Sequence, residues 1–178
     1  MVQGSDPADV VAPWTTDLMA LRRRIEAHRF EAGQALSFTG RLARDHRWSL
    51  DFARGAVREY GRFCFLAVAS ATAVTPSEEV DEVWHLHLTY TRDYWDLWCG
   101  SVLGAALHHD PTAGGAAEER RYRLQYAQTL ALYERFFGAA PAAYWPGTDA
   151  RFGRPRYQVV DRARWWLLRR SWRWRDRS

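Results

Sequence analysis

Several residue types are absent or rare in this sequence. The 178 residues contain no lysine, no asparagine and a single isoleucine. All 25 residues with a basic side chain other than histidine are therefore arginine. A lysine amine is the group that forms a Schiff base with a carbonyl substrate, and that chemistry is therefore excluded. The bias resembles the codon usage of a GC-rich genome.

Cysteine is scarce, and long apolar runs are missing. Cys64 and Cys99 do not form a metal-type pair spacing, and we expect both thiols to be reduced. No run approaches the roughly 20 apolar residues that a membrane span requires. The first residues also lack the basic and apolar regions of a signal peptide. We therefore expect a cytoplasmic protein without a transmembrane segment.

Aromatic side chains are abundant and indicate one packed core. The chain has 10 Trp, 8 Tyr and 8 Phe, and its length is typical of one domain. We predict a disordered N-terminus at residues 1–12, a single helical domain at residues 13–160 and an Arg/Trp-rich tail at residues 161–178. Glycine-loop, nucleophile-elbow and dinucleotide motifs are not found, which disfavours nucleotide enzymes and serine hydrolases.

Apolar periodicity predicts an all-α fold, a compact bundle of about five or six helices with an irregular C-terminal segment. The predicted helices cover residues 17–28, 41–46, 50–69, 77–104 and 118–137, and the fourth of them can contain a kink. Asp17, Ser49 and Ser77 are the expected N-caps, and Gly138 is the expected end of the last helix. Residues 105–117 are predicted to form a loop.

The strongest candidate for a functional site is a cluster of histidines and aspartates. Four of the six histidines fall between residues 85 and 109. Asp81 precedes His85 by one helical turn, and Asp110 directly follows His109. Because consecutive helical residues are about 100 degrees apart, Asp81 and His85 share a face, whereas His87 points to nearly the opposite side.

One interpretation of this cluster is a divalent metal site, with ligands from both the helix and the loop. Imidazole and carboxylate groups together suit zinc, iron or manganese. On this basis we predict a small helical protein that binds a metal. We extend the prediction to a metal-dependent enzyme that acts on a small molecule. The candidate ligands are Asp81, His85, His109 and Asp110, with His87 and His108 as weaker candidates.

Two alternatives need no metal. His85 could act as a general acid or base tuned by Asp81, because an imidazole titrates near neutral pH. In the structural alternative, His87 is a core histidine bonded to Tyr94 or to a backbone carbonyl. Asp81 and His85 then form an ordinary surface pair, and His109 belongs to a turn.

One set of residues matches a known pattern: Asp81-x-x-Trp84-His85-x-His87, Tyr94, Gly104 and His109-Asp110. This pattern resembles the glycine-rich domain-containing protein-like family, a domain of unknown function found in plants and in bacteria. The resemblance spans roughly residues 60 to 145 and implies a single site that contains His85, His87 and His109, without implying a reaction. We expect a bacterial source.

The C-terminal tail supports a rival function, a non-catalytic interaction module whose histidines are structural. Residues 162–177 contain seven arginines and four tryptophans. Such a segment can bind a partner, an anionic membrane surface or a nucleic acid. We favour a tail that docks on the core of its own domain.

Overall fold

The computed structural model describes residues 14–30, 36–110 and 112–153, and the regular structure in these ranges is entirely helical. The elements are α1 (Thr16–Ala27), α2 (Phe38–His46), α3 (Leu50–Ala69), α4 (Glu78–Thr89), a π-helix (Asp93–Leu103), α5 (Ala116–Phe137) and α6 (Thr148–Arg151). The predicted all-α fold is thus confirmed. No helix in the described part of the chain has the length and apolarity to cross a membrane.

The two predicted terminal segments, residues 1–12 and 161–178, lie outside the described residues. The division of the chain into a helical domain and two tails therefore stays a prediction.

Hydroxyl side chains begin four of the helices. Each accepts a hydrogen bond from the backbone N–H three residues later, which satisfies a donor that the first turn leaves unpaired. The caps are Thr15, Ser37, Ser49 and Ser77. Ser49 and Ser77 were predicted. The assignment of Asp17 was wrong, since it lies in the first turn that Thr15 caps, and α2 begins earlier than predicted because Ser37 caps it.

Helix α3 lies at the centre of the fold. It contacts α1, α2, α4, α5 and the π-helix, and its buried side chains include Tyr60, Phe63 and Cys64. Small residues let other segments approach closely. A Cβ at Gly55 would lie 1.8 Å from Oη of Tyr144, so a larger residue there would displace the Tyr144 side chain from its place on α3.

The chain beyond α4 departs from the predicted long helix. Helix α4 ends at Thr89, and the π-helix begins at Asp93 and ends before Gly104, whose φ is 68°. The left-handed backbone at Gly104 is readily adopted only by glycine. The helical geometry therefore breaks at Tyr90 and again at Gly104, and the loop that follows returns to α4 at His109.

Candidate metal centre

Three predicted ligands come together at the surface of α4. We call Asp81, His85 and His109 the open group, because their ligand atoms all lie within 4.8 Å of one another and His85 is exposed. Nε2 of His109 is 3.0 Å from Oδ1 of Asp81, and Nε2 of His85 is 3.8 Å from Oδ2 of Asp81. The carboxylate therefore lies between two imidazoles, one from the helix and one from the loop.

A buried hydrogen-bond chain holds the loop in this position. The indole Nε1 of Trp84 donates to Oη of Tyr94 over 2.9 Å, and the Tyr94 hydroxyl donates to the carbonyl of Leu107. The ring of Trp84 also packs edge-on against the ring of His109, with centroids 4.5 Å apart. Because Trp84 is next to His85 in α4, the same helical turn supplies one ligand and positions another.

Further polar side chains border the open group. Oε2 of Glu82 is 4.0 Å from Nδ1 of His85 and 3.7 Å from Nε2 of His46 on α2. Both separations are longer than a hydrogen bond. Glu82 therefore adds negative charge beside the open group without fixing the orientation of His85.

A second group, centred on the fully buried His87, lies on the opposite side of α4. We call His28, His87 and Asp93 the buried group, and their ligand atoms also lie within 4.8 Å of one another. Nε2 of His87 is 2.7 Å from Oδ2 of Asp93, and Nε2 of His28 is 3.4 Å from the same oxygen. The prediction that His85 and His87 point in opposite directions is correct, and each belongs to a different group.

His87 has polar partners on both ring nitrogens. Its Nδ1 is 3.0 Å from Oη of Tyr60 on α3, so the predicted bond to Tyr94 or to a backbone carbonyl was wrong. Tyr94 instead contacts His87 through its ring, with centroids 5.0 Å apart. Burial lowers the pKa of His87 to about 4, although the hydrogen bond to Asp93 acts in the opposite direction. His87 is therefore neutral at pH 7.

The remaining predicted ligands lie outside both groups. His108 and Asp110 are exposed, and the ring of His108 packs near Trp95, with centroids 5.4 Å apart. Sequence reasoning did not find His28 or Asp93. Asp93 carried a weak signal, since it lies shortly after a buried histidine, whereas nothing local in the sequence links His28 to α4.

The fold and these two groups define a small all-α protein with histidine and aspartate clusters that could hold metal ions. Residues 21–125, more than half of the chain, match the sequence model of the UCP032817-like family, and the chain belongs to that family. All members of both groups lie within the matched residues.

A curated relative supports the predicted resemblance. The chain is 25% identical over 129 residues to Glycine-rich domain-containing protein 1 of Arabidopsis thaliana. The aligned segment is 70% of this chain and 15% of the plant protein. No solved structure matches the chain. The expected membership of a glycine-rich domain-containing family is confirmed, and the role of its histidine signature stays a prediction.

Proposed function

We propose that this protein binds a divalent metal ion through Asp81, His85 and His109. The observation that carries the proposal is the convergence of one carboxylate and two imidazoles from α4 and the following loop, with all ligand atoms within 4.8 Å. This donor set suits zinc, iron or manganese. A tetrahedral ion with bonds of about 2.0–2.1 Å separates its ligands by roughly 3.3 Å, so small side-chain movements suffice.

The exposure of the site favours an ion that also contacts a small molecule. The side chain of His85 is 49% exposed, whereas those of Asp81 and His109 are 27% and 21% exposed. Three protein ligands leave at least one coordination position of the ion free, as in catalytic sites. We therefore extend the proposal to a metal-dependent enzyme, with His85 and Asp81 beside the reacting atoms.

The geometry favours a shared ion over a metal-free acid–base pair. The 3.8 Å between His85 Nε2 and Asp81 Oδ2 is too long for a hydrogen bond. Oδ1 of Asp81 accepts instead from His109. Asp81 therefore does not orient His85 directly, as an acid–base pair would require. An ion between the three groups would be bound by all of them.

The test is elemental analysis of protein purified without a histidine tag. We expect His85→Ala to lose about one zinc, iron or manganese ion per chain, because removing one of three protein ligands greatly weakens binding. His108→Ala is the matched control, since His108 is exposed and lies outside the group. It should keep the wild-type metal content. Equal metal content in His85→Ala and wild-type protein would refute the proposal.

The alternative function is a non-catalytic interaction module. It is favoured by the direct hydrogen bond between His109 and Asp81, which ties the loop to α4 without an ion. The tail that would contact a partner, an anionic surface or a nucleic acid lies outside the described residues. If the protein cannot be loaded with metal and His109→Ala lowers its stability, this alternative replaces the metal-binding proposal.

A further inference from the structure

His28 has a buried nitrogen without a hydrogen bond. Its side chain is 9% exposed, and among the described residues no group forms a hydrogen bond to Nε2. Buried polar atoms are normally paired, so this nitrogen is free to bind a ligand. The nearest acceptor is Oδ2 of Asp93, at 3.4 Å, and that oxygen already receives the shorter contact from His87.

The three polar atoms of the buried group have separations that an ion can bridge. The 2.7 Å and 3.4 Å between the Asp93 oxygen and the two imidazole nitrogens bracket the roughly 3.3 Å between ligands of a tetrahedral zinc ion. Two imidazoles and one carboxylate are also a common zinc donor set. The group is thus compatible with an ion after shifts of a few tenths of an ångström.

Tyr60 can support the ligand form of His87. Its hydroxyl is 3.0 Å from Nδ1, and it can accept a hydrogen bond from that nitrogen as well as donate one. Without an ion, Nε2–H donates to the Asp93 carboxylate over 2.7 Å. With an ion, Nδ1–H donates to Tyr60, and the lone pair of Nε2 points towards His28 and Asp93. Metal-bound histidines are usually held in this way by a partner on the other ring nitrogen.

Aromatic rings pack against the two histidines of the group. Phe30 lies against the rings of both histidines, with centroids 4.7 Å from His28 and 5.0 Å from His87. Trp98 lies 4.9 Å from His28 and 5.7 Å from His87. The side chains of His28 and Asp93 are 9% and 24% exposed, and none of the three is as exposed as His85, which suits an ion that stabilises the fold more than one that contacts a substrate.

We propose that His28, His87 and Asp93 hold a second, structural metal ion of the zinc class. The ion would join the end of α1 to α4 and to the start of the π-helix, three segments that are separate in the sequence. It is independent of the ion proposed for the open group. Its binding free energy contributes to folding, because the unfolded chain does not hold these ligands together.

The test compares zinc content in four untagged full-length proteins: wild type, His85→Ala, His28→Gln and the double variant. Each protein is stripped with a chelator, loaded with zinc, desalted and analysed by mass spectrometry. We expect about two ions in the wild type, about one in each single variant and about none in the double variant. The His85→Ala background removes the open group, so its remaining ion reports on the buried group alone.

The inference is overturned if folded His85→Ala retains no zinc, or if His28→Gln does not remove the ion that His85→Ala retains. A His28→Gln protein without zinc beside a His85→Ala protein with one ion would contradict the proposal for the open group and leave the buried ion supported. If His28→Gln fails to fold, Asp93→Asn replaces it, since asparagine keeps the shape and one acceptor oxygen.

A second measurement uses Tyr60→Phe in the His85→Ala background. This variant removes only the hydroxyl beside His87, so Tyr60 is tested as a positioning residue. We expect zinc affinity about 10–100-fold weaker, the usual effect of losing an outer partner of a histidine ligand. Unchanged affinity in a protein with the same helical content would place the ion elsewhere and refute the inference.

Discussion

The two histidines of the Trp84-His85-Leu86-His87 turn lie in very different environments. The side chain of His85 is 49% exposed, whereas that of His87 is fully buried between Tyr60 and Asp93. Because they are two positions apart on one helix, one ring faces water and the other faces the core. Replacement of His85 should therefore affect function, whereas replacement of His87 should affect stability.

The buried position of His87 predicts a pH-dependent stability in metal-free protein. The pKa of His87 is lowered from its ordinary value of 6.5 to about 4 in the folded protein, so the unfolded state binds the proton more tightly. The contribution of neutral His87 to the free energy of unfolding is complete above pH 6.5 and is lost as the pH falls towards 4. We expect His87 to account for a loss of roughly 3 kcal/mol over that range.

The measurement is chemical denaturation of chelator-treated protein between pH 4 and 7. His87→Gln is the control, because glutamine has no titrating group and the other histidines and carboxylates remain. The free energy of unfolding should fall more for the wild type than for His87→Gln as the pH is lowered. Parallel curves would contradict the prediction. His87→Ala should cost about 1–3 kcal/mol at pH 7, since partners of a buried hydrogen bond are left unpaired.

At the scale of elements, the π-helix and the loop after it decide whether His109 reaches α4. The π-helix contacts α1, α3 and α4, and Tyr94 near its start bonds both Trp84 and the Leu107 carbonyl. Tyr94 is fully buried, and burial raises the pKa of its hydroxyl above the ordinary value. The neutral hydroxyl can therefore donate and accept at once.

Tyr94→Phe should release the loop without creating a large cavity. It leaves the Trp84 indole N–H and the Leu107 carbonyl without this partner, so we expect a loss of about 1–3 kcal/mol in the free energy of unfolding. Metal affinity of the open group should fall as well, because His109 is no longer held over Asp81. Denaturation and zinc titration in the His28→Gln background measure the two effects.

Tyr122→Phe is the matched control for this substitution. Tyr122 is in α5, where the Arg121 guanidinium lies over its ring at 4.8 Å from the centroid, a contact that phenylalanine retains. We expect stability within about 0.5 kcal/mol of the wild type. If Tyr94→Phe is equally neutral, the loop is held by other contacts.

For the whole molecule, a buried carboxylate joins the centre of the fold to its C-terminal part. Oε2 of Glu59 on α3 accepts from Tyr133 Oη at 2.7 Å and from Trp145 Nε1 at 2.9 Å. Oε1 accepts from Arg62 at 3.0 Å. Burial, followed by the bond to Glu59, raises the pKa of Tyr133 to about 12. The phenol therefore remains a donor at neutral pH.

Glu59→Ala should destabilise the protein strongly. The buried donors of Tyr133 and Trp145 lose their acceptor, and each unpaired buried donor costs about 1–3 kcal/mol. Glu59→Gln should cost less, since its oxygen can still accept. The control is Glu26→Ala, which breaks the exposed pair with Arg22 and should cost at most about 1 kcal/mol. Similar melting temperatures for Glu59→Ala and Glu26→Ala would contradict this assignment.

Local sequence signals determined the helices and one side of the candidate site. Caps and apolar periodicity act within a few residues, and they gave the bounds of α3 and the start of α4. The pairing of Asp81 with His85 follows from helical geometry alone. His109 was also predicted as a ligand, from its residue type and its place in the histidine cluster, but only the break after α4 and the turn at Gly104 bring it to that helix.

Tertiary packing alone decided the membership of the buried group. His28 reaches His87 because α1 packs against α3 and the π-helix, and Asp93 reaches it because the chain turns between α4 and the π-helix. Likewise Tyr60 bonds His87 only because α3 and α4 pack together. Hydrophobic burial drives this packing without direction, so one chain's local patterns do not specify which distant polar atoms will meet.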